Sequence, residues 1–295
     1  MRTFGGKYKY TMRIITALAL LGSLWIPIST AAQAPLNRVY EESIHRYYEM
    51  AEKGQPDSAL YYLNRALEIL PDAETNYLLH GLKSEHFLAK GDTATALHEL
   101  SVAISLKPTE LALLEKRGEV LTLSGRYTEA LHDYDAILRI SPDRESARYN
   151  RALVKQALNL LEGAERDLEK IILNNPKAYL PRLTLAGVYL SMEDSADKAE
   201  KIYNYLIATY PDIPEAYRHR AQLYLNQDRK ALATKDVSKI FELGKDITYR
   251  DYLLRGAIRL KYGDEKEALR DFRMAQSMGG PKVENLVKDI KKQRK

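Results

Sequence analysis

The sequence has 295 residues, a formal net charge of +5 and no cysteine. The absence of cysteine excludes disulfides, thiolate catalysis, Cys-ligated metals and a lipid-modified amino-terminal cysteine. Residues 1–32 contain four basic residues and no acidic one, and the rest of the chain has 41 basic against 40 acidic residues. Such a near-neutral body lacks the basic surface with which proteins bind nucleic acid, so no nucleic-acid partner is expected.

The amino-terminal segment has the pattern of a secretory signal peptide. Arg13 precedes an apolar run from Ile14 to Ile28, and small residues follow as far as Ala32. An apolar run of about 15 residues after a basic start is typical of an export signal, whereas a membrane span needs about 20. We predict a signal peptide at residues 1–32, with Met12 as an alternative start, and no transmembrane span in the mature chain. An uncleaved segment that anchors the protein is the alternative.

Beyond this segment the sequence repeats itself. The segments Gly91–Pro108, Gly125–Pro142 and Gly263–Gly280 follow one frame, in which an alanine comes five residues after the first position. The alanine recurs with spacings of 37, 34, 34, 35, 34 and 35 residues. Its seven occurrences are Ala59, Ala96, Ala130, Ala164, Ala199, Ala233 and Ala268. A period of about 34 residues is that of a helix–turn–helix repeat.

Each copy carries the residues that two closely crossing helices need. Apolar residues four and seven positions after the alanine lie on one helical face. A second small residue precedes the alanine in most copies, and these are Gly118, Ala152, Ala186, Ala221 and Gly256. Prolines then end the second helix of the first five copies, because proline cannot continue a helix. These are Pro71, Pro108, Pro142, Pro176 and Pro211.

This frame resembles the tetratricopeptide repeat (TPR) family over residues 39–281. The resemblance implies an all-α, right-handed superhelical solenoid of about seven TPR-like repeats, preceded by a short linker at residues 33–38. Residues 282–295 combine apolar positions at helical spacing with a basic tail and are predicted to form a carboxyl-terminal capping helix. The first copy has Tyr47 where a small residue is expected, so it is either a true repeat or a divergent cap.

A pair of opposite charges also recurs within the copies. A basic residue directly precedes the small residue of the first helix, and an acid follows the alanine of the second helix by three positions. These pairs are Lys83–Glu99, Arg117–Asp133, Arg151–Asp167, Arg220–Asp236 and Arg255–Asp271. The fifth copy loses both charges together, with Leu185 and Ile202, whereas the first keeps Arg46 opposite Tyr62.

We predict a salt bridge between the two helices of most repeats, which fixes their register. Exposed ion pairs contribute only about 0–1 kcal/mol each, so packing is expected to supply most of the stability. An arginine row that binds anions is the alternative, but it does not explain why the acids change together with the arginines.

No catalytic, cofactor-binding or metal-binding pattern occurs. The six histidines form no HExxH pair, and there is neither a glycine-rich phosphate loop nor a GxSxG motif. Glu115 and Glu119 share one helical face, but nothing in the sequence isolates them as an acid and a base. We therefore expect a protein that is not an enzyme and that has no cofactor and no metal.

The surface left for function is the concave face, which the first helices of successive repeats form. Tyrosine and arginine are frequent anchors at interfaces, although tyrosines also fill gaps between repeats, and Tyr48 and Tyr149 could do either. The residues predicted to bind a partner there are Tyr48, Glu85, Glu119, Tyr149, Asn150, Arg218, His219 and Gln222. The Lys/Asn/Arg clamp with which some members of the family bind acidic tails is not reproduced, since Glu115 and Glu119 replace its Lys and Asn.

These features predict a non-enzymatic protein–protein interaction scaffold or adaptor in the bacterial cell envelope, with a peptide or protein bound in the groove. The protein would be exported to the periplasm or associated with the outer membrane. A glycan- or peptidoglycan-binding module is the alternative, which exposed tyrosine rings in the groove would favour. Self-association through the irregular first repeat stays open, and the sequence does not identify the partner.

Overall fold

The computed structural model describes residues 34–283, and every regular element in this range is an α-helix. The fourteen helices of this range are α1 (Ala34–Glu52), α2 (Pro56–Ile69), α3 (Asn76–Ala89), α4 (Thr93–Leu106), α5 (Leu111–Leu123), α6 (Tyr127–Ile140), α7 (Glu145–Ala157), α8 (Leu161–Asn174), α9 (Tyr179–Ser191), α10 (Ala196–Thr209), α11 (Pro214–Asn226), α12 (Lys230–Leu243), α13 (Tyr249–Lys261) and α14 (Glu265–Ser277). The all-α fold class is thereby confirmed.

The predicted signal peptide at residues 1–32 lies outside the described residues, as does the predicted capping helix after Val283. Residues 34–38, predicted as a linker, belong instead to α1, which begins at Ala34. None of the helices between residues 34 and 283 is long and apolar enough to cross a membrane.

Consecutive helices pair into hairpins 1 to 7, each with an odd-numbered first helix and an even-numbered second helix. The described chain divides into two compact units. The first unit contains hairpins 1–3 and ends at Pro142, and the second unit begins at Asp143 and contains hairpins 4–7. Within each unit, a hairpin is thus one supersecondary element whose two helices bury their apolar faces against each other and against neighbouring hairpins of the same unit.

The turn inside each hairpin requires one residue with a left-handed backbone. Glycine fills this place in hairpins 1, 2, 3 and 7, with φ between 68° and 94°. Asparagine or aspartate fills it in hairpins 4, 5 and 6, at Asn159, Asp194 and Asp228. These short polar side chains tolerate positive φ better than other non-glycine residues do. A left-handed residue is therefore retained in all seven turns even where the glycine is lost, although the turn of hairpin 5 is longer, with four residues between its helices instead of three.

The small residues predicted at the helix crossings are buried. All seven repeat alanines are inaccessible or nearly so, and the small residues of the first helices are buried as well. The helices that precede the five prolines end two residues before them, as the sequence predicts. Where the sixth copy lacks the proline, Gly244 ends α12 in a left-handed conformation.

Candidate functional site

The predicted interhelical ion pairs form in five hairpins. Arg151 donates to both carboxylate oxygens of Asp167, at 2.8 and 2.5 Å, and Lys83 lies 2.8 Å from Glu99. The same bidentate arrangement joins Arg117 to Asp133, Arg220 to Asp236 and Arg255 to Asp271. A guanidinium that donates two parallel bonds to a carboxylate fixes the register of the two helices.

The acids of these pairs are buried, which corrects the expectation of weak, exposed salt bridges. Asp133, Asp167, Asp236 and Asp271 are almost inaccessible. A buried carboxylate is costly without its partner, so each arginine is committed to its own hairpin. This arrangement gives no support to an anion-binding arginine row. In hairpin 5 the pair is replaced by Leu185, which is buried, and Ile202, which packs against the same apolar cluster.

The predicted partner-binding residues of the first unit differ in their surroundings. Tyr48 is buried in the apolar cluster of hairpin 1, and its ring packs edge-on against Tyr47. Of the two interpretations of Tyr48, its burial favours the gap-filling one. Glu85 is half-exposed on α3, and Glu119 is exposed on α5.

In the second unit, Tyr149 and Asn150 on α7 are half-exposed. The Tyr149 hydroxyl lies 2.9 Å from the Thr184 hydroxyl on α9, which brings two successive first helices side by side. Tyr149 also packs against the apolar cluster of hairpins 4 and 5. Its ring therefore joins two repeats while part of it stays accessible.

Arg218 on α11 is engaged in ion pairs within the protein, and its side chain is 18% exposed. It donates to both carboxylate oxygens of Asp251, at 2.5 and 3.1 Å, to Glu215 at 2.7 Å and to the Asp246 carbonyl at 2.8 Å. Asp251 is buried and also accepts from Thr248, where it completes the cap of α13. Arg218 thus connects hairpin 6 to hairpin 7.

His219 and Gln222 on α11 are exposed. One face of the His219 ring stacks on Tyr203, with the ring centres 6.0 Å apart and the planes nearly parallel. This shielding from water lowers the pKa of His219. The Gln222 amide donates to Asn226 one turn further along. Both residues present neutral hydrogen-bonding groups at neutral pH.

Beside these residues, α9 carries a strip of leucines that is not among the predicted partner-binding residues. Leu180, Leu183, Gly187 and Leu190 follow spacings of three and four, so they share one face of the helix. Leu180 is 60% exposed and Leu190 is 43% exposed, and Leu183 is half-buried. Extending the alignment of the copies to both ends of each first helix would have found Leu180 and Leu190.

The neighbouring face of α7 is also uncharged. Tyr149, Leu153 and Gln156 follow the same helical spacing, and the Gln156 amide lies near Gly187 of α9. We call the residues on these faces of α7, α9 and α11 the first-helix face of the second unit. It comprises Tyr149, Asn150, Leu153, Gln156, Leu180, Leu183, Thr184, Gly187, Leu190, His219 and Gln222. Across residues 34–283, no group of three His, Asp or Glu side chains could hold a metal ion.

A stack of helical hairpins with an accessible face of first helices defines a helical-repeat protein. Residues 82–145 match the family model described as Tetratricopeptide repeat. A solved tetratricopeptide repeat protein from Parabacteroides merdae is 32% identical, with a TM-score of 0.67, over 86% of this chain and 98% of that one. The chain therefore belongs to the tetratricopeptide repeat family.

More distant curated relatives also contain such repeats. DnaJ homolog subfamily C member 3 of Gallus gallus is 22% identical over 82% of this chain and 43% of its own length. Mitochondrial import receptor subunit TOM70 of Homo sapiens is 23% identical over 63% of this chain and 32% of its own length. The chain thus spans less than half of the length of the curated relatives that it matches. Proteins of this family are scaffolds for protein–protein interaction.

Proposed function

We propose that this chain is a non-enzymatic adaptor of the bacterial cell envelope, which binds a peptide or protein segment on the first-helix face of the second unit. The exposed leucine strip of α9 carries this proposal. Leu180 is 60% exposed and Leu190 is 43% exposed, and they lie on the helix whose Thr184 is bonded to the half-buried Tyr149. Contiguous exposed apolar groups with a polar rim are typical of interaction sites.

The chemistry of this face indicates what it would accept. Its positions on α7 and α9 carry no formal charge, whereas α11 adds the neutral groups of His219 and Gln222 beside the ion pair of Glu215 and Arg218. A partner segment with leucine-like side chains on one side and amide or hydroxyl groups on the other would match it. The acidic tails bound by the Lys/Asn/Arg clamp of some family members would not, because Arg218 is occupied by Asp251.

The arrangement of tyrosines supports a peptide rather than a glycan. Binding a sugar by stacking requires a ring face that is open to solvent. On the first helices of the second unit, Tyr217 and Tyr224 are buried, and Tyr149 is half-buried with its hydroxyl bonded to Thr184. The strongly exposed rings in the described part of the chain, Tyr61 and Tyr205, lie on second helices.

The envelope location rests on the amino-terminal sequence pattern alone, in which a basic start precedes an apolar run and small residues. Two names among the relatives support a binding role: an import receptor subunit and a DnaJ homolog. A receptor recognises other proteins, which agrees with an adaptor.

The test compares capture of envelope proteins by three forms of the chain after chemical cross-linking. One is unchanged, one carries Leu180→Glu with Leu190→Glu, and the control carries Leu173→Glu. Leu173 is 73% exposed but lies on the second helix α8, so it controls for loss of an exposed leucine. We expect a partner that the unchanged chain and the control capture and that the double variant loses. Capture of the same proteins by all three forms, or of none, would refute the proposed face.

A further inference from the structure

Hairpins 5 and 6 are joined by a buried tyrosine. Tyr224 on α11 lies three residues after the small residue Ala221 and is 4% exposed. Its hydroxyl donates to Glu200 on α10 at 2.9 Å. The guanidinium groups of Arg220 and Arg229 lie 5.6 and 4.4 Å from the centre of its ring. Cations at these distances stabilise an aromatic ring through its π-electrons, in addition to the gain from burial.

The same position joins other hairpins. In hairpin 5 it holds Tyr189, which is 7% exposed, donates to Glu165 of α8 at 2.8 Å and has the Lys198 ammonium 4.8 Å from its ring centre. Glu165, like its counterpart Glu200, follows the repeat alanine by one residue. In the remaining hairpins from 2 to 7, apart from hairpin 3, the position holds Phe87, Lys155 and Arg259. A large side chain therefore fills this place in every one of these hairpins.

Hairpin 3 has a leucine there, and a pocket opens beside it. Leu121 occupies the position of the tyrosine, and Leu97 on α4 occupies that of the glutamate. The pocket has a volume of about 250 Å³. It is lined by Leu97, Ser101, Arg117, Leu121, Arg126, Glu129, His132 and Asp133. An apolar cavity of about 150 Å³ is enough for a benzene ring, so this pocket has room for a substituted ring.

The cations that surround the tyrosine in hairpin 6 are present around the pocket. Arg117 and Arg126 occupy the positions of the two arginines beside the Tyr224 ring. Arg117 is paired with Asp133, and Arg126 donates to both carboxylate oxygens of Glu129, each at 2.6 Å. Two arginines and two carboxylates give the lining a formal charge of zero at pH 7. The pocket therefore favours an uncharged ligand over an anion or a cation.

We propose that this pocket is a binding site for a 4-hydroxyphenyl group, the chemistry of a tyrosine side chain. The two leucines form its apolar floor, and Arg126 would contact the ring as Arg229 contacts Tyr224. Glu129 would accept the hydroxyl in the way that Glu200 accepts from Tyr224. A carboxylate has about four lone-pair sites, so its pairing with an arginine leaves room for this bond. The site lies in the first unit, whereas the partner face proposed above lies in the second.

The experiment titrates the full chain, labelled at its leucine methyl groups, with p-cresol and follows the methyl resonances by NMR. We expect ring-current shifts at Leu97 and Leu121. Two control ligands each lack one feature: 4-methylcyclohexanol has no π-electrons and toluene has no hydroxyl. Each should bind about threefold more weakly than p-cresol. Equal binding of the three ligands, or no shift of either leucine at millimolar p-cresol, would overturn the proposal.

Two variants test the residues of the pocket. Leu121→Tyr with Leu97→Glu copies the pair of hairpin 6, fills the pocket from within and should abolish p-cresol binding, measured by saturation transfer to the ligand. Arg126→Ala, at a side chain that is 49% exposed, should weaken p-cresol binding but not that of 4-methylcyclohexanol. Arg139→Ala, at an exposed arginine of α6, is the control and should change neither. Undiminished p-cresol binding by both pocket variants would place the ligand elsewhere and refute the site.

The source of the ring is distinguished with N-acetyl-tyrosinamide, which carries the same ring on a peptide main chain. If it shifts Leu97 and Leu121 as p-cresol does, a tyrosine of another protein can enter the pocket. If only p-cresol does so, the site takes a free phenolic molecule. Both results support the 4-hydroxyphenyl site, whereas the absence of both sets of shifts contradicts it.

Discussion

The Phe272 ring occupies the space that a Cβ atom on Gly256 would need. A Cβ built at Gly256 lies 2.5 Å from Cε1 of Phe272, closer than any real contact allows. Hairpin 3 repeats the relationship, with Tyr134 3.0 Å from the equivalent point on Gly118. Hairpins 4 and 6 combine an alanine on the first helix with Leu168 or Val237 on the second. Hairpin 5 combines Ala186 with Tyr203, whose ring stacks on His219.

We expect Gly256→Ala to destabilise hairpin 7 by about 1–3 kcal/mol, because the buried Phe272 ring has no room to move. This loss exceeds the gain of about 1 kcal/mol that alanine brings to a helix. Gly187→Ala is the control, since its Cβ would meet nothing closer than the Gln156 side-chain nitrogen at 3.7 Å. Urea unfolding and hydrogen exchange of α13 and α14 measure the effect. Adding Phe272→Leu should restore the free energy of unfolding. If Gly256→Ala leaves that free energy unchanged, the Phe272 ring does not exclude a side chain at position 256.

Removal of one partner from an interhelical ion pair should cost more than removal of both. Arg117→Leu leaves Asp133 buried and charged, at a cost of about 3–5 kcal/mol. Arg117→Leu with Asp133→Ile copies the Leu185 and Ile202 of hairpin 5 and should recover most of that loss. Urea denaturation compares the two variants. If the double variant is as unstable as the single one, hairpin 3 cannot accommodate a leucine and an isoleucine in place of the ion pair.

The stability that Asp167 contributes should depend on pH. Burial would raise the pKa of Asp167, but hydrogen bonds from Arg151 and Lys155 outweigh it and hold the pKa below its usual value. Because the folded pKa lies below the unfolded value of about 3.9, the contribution is complete above that pH and disappears as the pH falls through the folded pKa. Asp167→Asn should therefore be less stable than the unchanged chain at pH 7, with the gap closing below about pH 4. Urea midpoints at pH 7, 5 and 3 test this, and a constant gap would contradict it.

Arg218→Ala should destabilise hairpin 7, because Arg218 bonds to Asp251 of that hairpin. The variant leaves the buried carboxylate of Asp251 with only the bonds from Thr248, a loss on the order of 3 kcal/mol. We expect faster hydrogen exchange in α13 and α14, and little change in hairpin 4. Gln222→Ala, at an exposed position on the same helix, is the control and should leave exchange unchanged. Unchanged protection of α13 in Arg218→Ala would show that Arg218 does not hold hairpin 7.

The contacts within a hairpin could be predicted from the sequence because they recur at a fixed separation. The four arginine–aspartate pairs predicted between the helices of a hairpin each join residues 16 positions apart, and comparison of the copies therefore finds them. The same comparison identifies the repeat alanines and the helix-ending prolines. Each of these contacts is set by the length of one turn and the pitch of two helices, both of which the chain specifies locally.

The tertiary structure decided what depends on neighbouring hairpins. Arg218 looks like a free surface charge until Asp251, 33 residues later, is placed beside it by the packing of hairpin 7 on hairpin 6. The sequence pattern left open whether Tyr48 binds a partner or fills a gap between repeats, and in the fold it is buried. The burial of the ion-pair aspartates, which turns a weak surface bond into a strongly coupled one, also follows from packing. The amino-acid pattern alone therefore determined the repeat and the bonds within each hairpin. The tertiary structure decided how exposed each side chain is, because burial depends on which helices pack against a residue and not on the local sequence.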